Sequence, residues 1–161
     1  MAISAAPKNA RDGTLTLTNS ARTWTLAYTE GDFSASGFTE GQKATEAIQN
    51  RGSHHALVYT NTVYVEFSFS GTWTDISDGT DVTAFNIVNK TGSCSGDDGT
   101  IGATSPYAVD LLWTVEGTDH GDSADHTLRL DDCRLSMDGS EGSPTNTFSV
   151  TGTCYGTVTA T

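Results

Sequence analysis

The chain has 161 residues and a formal net charge of −12, from 20 acidic against 8 basic side chains. That length admits one domain with a substantial core and excludes two comfortable ones. The acid excess excludes nucleic-acid binding through phosphate neutralisation, which needs clustered Lys and Arg.

Taken in chain order, the first element is "TLTLT" over 14–18, which sets Leu15 and Leu17 on one face. After the polar turn "NSAR", the run "TWTLAYT" over 23–29 does the same with Trp24, Leu26 and Tyr28. Two half-buried strands joined by such a turn predict a hairpin. Residues 31–62 follow, with no one-sided apolar pattern, and are longer than an ordinary connection in a compact domain. They predict a long segment that does not bury itself, of the kind that is either functional or disordered. Residues 63–70, "VYVEFSFS", return to strict alternation, with Val63, Val65, Phe67 and Phe69 inward and Glu66 outward.

The period then changes. Val82, Phe85 and Val88 recur at about one helical turn. Asp78, Thr80 and Asp81 precede them as N-terminal caps, Lys90 falls in the last turn and Gly92 stops the helix. A second long loop, "SCSGDDGTIGATSP", leads to the strand "VDLLWTVE" over 109–116, where Leu111, Trp113 and Val115 oppose Asp110, Leu112 and Glu116. Beyond the polar turn "GTDHGDSADH", a one-residue slip at Asp131–Asp132 reads as a bulge that moves the buried set to Cys133, Leu135 and Met137. The last run, 147–158, carries Phe148, Val150, Cys154 and Val158 on one face. About seven antiparallel strands and one flanking α-helix predict an all-β sandwich or squashed barrel.

Sites of chemistry are hard to find. Asp119, His120, Asp122, Asp125 and His126 crowd one turn, but their spacing fits neither an EF-hand loop nor a zinc signature. A solvated hairpin tip explains them, so neither metal nor cofactor is expected. The run "SGDDGTIGAT" lacks the Gly-Lys-Ser/Thr ending of a phosphate loop. His54 and His55 have no nucleophile elbow to serve, and an enzyme is not expected. No run approaches the roughly 18 apolar residues of a membrane span, so a membrane is not expected among the partners. The opening "MAISAAPKNARDG" has no apolar stretch of the secretory kind. Free thiols are therefore the default for Cys94, Cys133 and Cys154. Cys133 and Cys154 continue apolar alternations and are expected buried; Cys94, in a glycine-rich loop, is expected exposed. The few lysines (Lys8, Lys43 and Lys90) fit either a high-salt setting, where self-repulsion is screened, or a merely acidic protein.

Several pieces, in this order, resemble the tail tube (major tail) proteins of long-tailed phages and related viruses. They are "DGTLTLTN", "YTEGDFSAS", "NRG" before "YVEFSFSGTW", the single helix, "YAVDLLW", and "TLRLDDCRLSMDGSEGSPTNTFSVTGTCYG". The resemblance spans nearly the whole chain as one domain, 1–161, although each motif is short. It implies a β-sandwich that assembles as hexameric rings stacked into a hollow tube in the virion, put together in the host cytoplasm. The implied partners are further copies of the chain, other tail proteins (tape measure, terminator and distal tail protein), and double-stranded DNA in non-adhesive passage during ejection. It also implies that 31–62 is an inter-ring arm, with Phe33, Phe38, Arg51 and Gly52 at its contacts, and that Glu66, Asp110 and Glu116 are candidates for the channel wall. Two other readings compete. One is a lectin-like carbohydrate-binding module using an exposed aromatic from Trp24, Trp73, Trp113, Tyr107 or Tyr155. The other is a capsid-decorating or tail-terminator protein.

Overall fold

A computed structural model describes residues 13–26, 32–73, 81–115, 117 and 123–161. The chain order is β1 (Gly13–Thr18), β2 (Thr23–Leu26), β3 (Phe33–Ser36), β4 (Lys43–Asn50), β5 (Ser53–Thr62), β6 (Val65–Thr72), α1 (Ala84–Asn89), β7 (Val109–Val115), β8 (His126–Ser140), β9 (Thr147–Cys154) and β10 (Val158–Ala160). Hydrogen bonds link eight of these strands along the path β2-β1-β7-β8-β9-β6-β3, with β10 also on β8. Each of these pairings is antiparallel. β4 and β5 pair only with each other.

β8 makes this path a sandwich. Through Leu130 it pairs with β7 and β10, at Cys133 it faces both Val109 of β7 and Cys154 of β9, and beyond Cys133 it pairs with β9. The switch falls at Asp131–Asp132, where Asp132 takes a left-handed φ of 54° and the β7–β8 register shifts. A bulge bends a strand and strengthens its twist, so one strand serves both layers. The expected slip is therefore a corner. Side chains from the two layers meet across the interior: Phe33 of β3 lies 5.0 Å from Trp113 of β7, and Trp24 of β2 stacks on Phe69 of β6 at 6.4 Å. Leu17, Val65, Leu111, Leu130, Cys133, Val150 and Cys154 are fully buried between them.

Glycine permits the close packing at one core position. An added Cβ on Gly152 of β9 would sit 2.4 Å from the Phe67 ring and 2.6 Å from Leu135. The helix is shorter than its sequence signals imply. Its cap is Thr83, whose hydroxyl accepts the Asn86 N–H, rather than Asp81; Asp78 and Thr80 lie outside the described residues. Lys90 ends it in a left-handed conformation. Ala84, Ile87 and Val88 are buried in the core, and α1 packs against β8 and β2.

Three expectations are corrected. Residues 33–62 are not without regular structure: Phe33–Ser36 is an edge strand of the sandwich, and 43–62 is a β-hairpin. Cys94 is fully buried rather than exposed, because the loop that carries it folds as a 3₁₀ turn onto the core. The final apolar run is two strands, with β9 ending at Cys154 and β10 crossing to pair Val158 with Leu130.

Candidate assembly surface

The β4–β5 hairpin starts at a tight exit from the sandwich. Gly37 has φ +89°, and a Cβ there would lie 2.6 Å from the Tyr64 carbonyl oxygen, so only glycine fits without strain. The Val63 N–H donates to the Gln42 carbonyl at 2.9 Å and closes the base. At the far end, Arg51 and Gly52 take φ values of 50° and 82° between the opposed residues Asn50 and Ser53. Two successive positive φ angles are the mark of the I′ turn that suits hairpin twist.

Between base and tip the hairpin has no inner side. Register places Thr45, Ala47, Leu57 and Tyr59 on one face, and Glu46, Ile48, Ala56 and Val58 on the other. Leu57 is 64% exposed, Tyr59 57% and Ile48 45%. Both faces thus present large apolar side chains to solvent, and Lys43 lies 5.9 Å from the Tyr59 ring centroid as their polar cover. A single two-stranded hairpin is marginally stable at best in water, and apolar side chains gain only when they leave it. The arrangement favours burial on both sides by something else.

Charge points the same way. Residues 43–62 carry Lys43 and Arg51 against Glu46, a net +1, so the other 141 residues carry −13 of the total −12. The hairpin carries none of the acid excess, and opposite potentials favour its contact with acidic surfaces of the remainder.

The anchors expected at this surface separate. Arg51 and Gly52 form the hairpin tip, and Phe38 is 50% exposed near its base. Phe33 is used within its own subunit, packed on Trp113 and Phe67. The arm thus begins beyond Ser36. One exposed aromatic pair went unread in the sequence: Tyr64 and Tyr155, 44% and 52% exposed, with ring centroids 4.8 Å apart. Val65 faces Cys154 in the β6–β9 register, which brings their neighbours Tyr64 and Tyr155 together at the arm's base. Only the pairing of β6 with β9, invisible in a linear pattern, could have signalled it.

The three channel-wall candidates do not share a face. Glu66 is exposed on the outer face of the β3-β6-β9-β8 layer. Register aligns it with Ser36 on one side and with Thr153 and Arg134 on the other, and the next row is Ser34, Ser68, Thr151 and Ser136. Asp110 belongs to the opposite layer and is buried, 6% exposed. Its carboxylate accepts from Arg129 Nη2 at 2.6 Å and from the Asp132 N–H at 3.0 Å. Alternation gives the parity of Asp110 but not the bulge and arginine that cover it, so its assignment to a solvent-facing wall is corrected. Glu116 lies outside the described residues.

Beside that pair, Asp131 accepts from Arg129 Nε at 2.5 Å and from the Thr157 hydroxyl at 2.7 Å. Burial opposes ionisation, but these bonds outweigh it and hold the carboxyl below its usual range. The aromatics of a sugar platform are mostly engaged: Trp24, Trp73 and Trp113 pack on the core, and the Tyr107 hydroxyl donates to the Ile87 carbonyl at 2.8 Å. Residues 118–122 of the acidic turn 117–126 lie outside the described residues. Among the described residues no group of three or more His, Cys, Asp or Glu side chains could hold a metal ion.

No protein-family model matches the chain, and no curated protein matches it by sequence. Solved structures do match in fold. The cap that terminates the tube of the anti-feeding prophage aligns with TM-score 0.57 at 10% identity, covering 100% of this chain and 94% of that one. A chain of the PVC extracellular contractile injection system, in its extended sheath-tube complex, gives 0.57 at 8% identity over 98% and 93%. The PVC sheath/tube terminator in its extended state gives 0.54 at 9% identity over 91% and 92%. This chain therefore has the fold of components of contractile injection systems, with one short helix on a mostly antiparallel β architecture.

Proposed function

We propose that the protein is a structural tail-tube subunit that stacks as hexameric rings into the conduit for genome ejection. The observation that carries this reading is the β4–β5 hairpin, which exposes apolar side chains on both faces and projects from a fold shared, end to end, with injection-system components. Head-to-tail contact between unlike surfaces generates open filaments, and a projecting arm with its receiving surface on the next copy is a contact of that kind. Phe38, Arg51 and Gly52 belong to that contact. The β3-β6-β9-β8 layer supplies the channel wall, because its uncovered face is mostly hydroxyl side chains with Glu66 among them. Such a wall offers phosphates water and repulsion rather than cations; Arg134, the cation on this face, is drawn aside by donating to the Tyr107 carbonyl at 2.6 Å. Other tail proteins meet the tube at its ends.

A second reading, a terminating ring or cap, is supported by two of the three fold likenesses, whose names are those of a terminator and a cap. Negative-stain microscopy of concentrated protein at low and multimolar salt separates the readings. The tube reading expects long hollow rods of constant diameter, and single rings would support the cap. Compact monomers in both salts would contradict the two together.

A further inference from the structure

Cys133 and Cys154 stand directly opposite each other on β8 and β9. The Tyr155 N–H donates to the Asp132 carbonyl at 3.3 Å, a bond of the kind that flanks a non-hydrogen-bonded pair. Hydrogen-bonded and non-hydrogen-bonded pairs alternate in an antiparallel ladder, so Cys133/Cys154 is of the second kind, with Cα atoms about 4.5 Å apart. That separation falls at the close end of the range a disulfide spans, about 4.4–6.8 Å. Both side chains point into the core, fully buried, and both are free thiols. Cys133 Sγ lies 3.3 Å from the Leu130 carbonyl and Cys154 Sγ 3.1 Å from that of Asp131, so both sulfurs sit over the β8 corner.

We propose that Cys133 and Cys154 are a cross-strand disulfide site, closed by a low-molecular-weight disulfide, which staples the corner of β8 to the end of β9. The inference is independent of the assembly reading. The thiol–thiol hydrogen bond pushes Cys133 up, with burial adding to it, and pulls Cys154 down, so Cys154 supplies the thiolate. That thiolate attacks one sulfur of the small disulfide, forming a mixed disulfide and releasing one small thiolate. Cys133 then gives up its proton and attacks the Cys154 sulfur, releasing the second. Two protein thiols are oxidised to one disulfide while one small disulfide is reduced to two small thiols. Cys154 is the last residue of β9 and Tyr155 beyond it is 52% exposed, so local opening of this strand end, breaking the Tyr155 and Gly156 N–H bonds to β8, is the entry the reagent requires. Cys94 has no place in the exchange, because its hydrogen-bonding neighbour is Ser93 on the loop after α1.

The test incubates the native chain with oxidised glutathione, blocks remaining thiols under denaturing conditions, and maps the peptides without reduction. A single intrachain Cys133–Cys154 link with Cys94 blocked is expected, along with the same link in Cys94→Ser. The thermal midpoint should rise by about 5 °C and fall back on reduction. A link that includes Cys94, persistent glutathione adducts, or three free thiols would overturn the site. An unchanged midpoint in the linked protein would overturn the staple.

Discussion

Asp110, Arg129 and Asp131 form a charge cluster at the corner where β8 changes layers. Arg129 bridges both carboxylates, at 2.6 Å to Asp110 and 2.5 Å to Asp131. The pH dependence follows from Asp131, whose carboxyl is held below its ordinary value near 3.9. A group depressed in the folded state stabilises the fold above its unfolded pKa, and that stabilisation is lost as pH falls through the folded value. Unfolding free energy should therefore be level in this contribution above about pH 5 and decline below about pH 4. Asp131→Asn should flatten that decline and lower stability at neutral pH, as read by denaturant midpoints across pH. An equal acid decline in the variant would contradict the role given to Asp131. Alternation cannot reveal such a cluster. It records which side of a strand a residue takes, whereas Arg129 and Asp110 meet only because β7 and β8 pair.

Elements with one wet and one dry face were legible: β1, β6 and β9 show period-two burial, and the Asp131–Asp132 slip marks the bulge. The hairpin was not, because a search for one-sided alternation fails where Leu57 and Tyr59 face one way and Ile48 and Val58 the other. Its turn glycine and β-branched run were present, but the pattern that reads as disorder is that of a strand pair dry on neither side alone. The pairing of β1 with β7 and of β6 with β9 also escaped, since such contacts join residues far apart in the chain. The exposed pair Leu57 and Tyr59 gives an element-scale test. Leu57→Ser with Tyr59→Ser should leave the isolated subunit's stability within about 0.5 kcal/mol, as exposed sites do, while abolishing self-assembly in sedimentation velocity. Loss of the monomer's fold, or undiminished assembly, would contradict the hairpin's role.

On the scale of the whole molecule, the sandwich is complete and the arm is not. The core buries its own side chains and leaves the outer edges of β2 and β3 without a strand partner among the described residues. Edges and a two-sided apolar hairpin are liabilities in a monomer, and in the proposed tube further copies of an acidic body, meeting a near-neutral arm, would convert them into contacts. The charge balance sets the condition: repulsion between bodies at −13 each is relieved by salt, so assembly should strengthen as salt rises until the arm's own attraction is screened. The most direct measurement is amide hydrogen exchange across residues 43–62, in dilute subunit and in concentrated protein. Exchange should be fast in the dilute subunit and slowed at least tenfold on both strands at high concentration, while the sandwich strands change little. Equal protection of β4 and β5 at both concentrations would contradict the account, because the arm would then need no second copy.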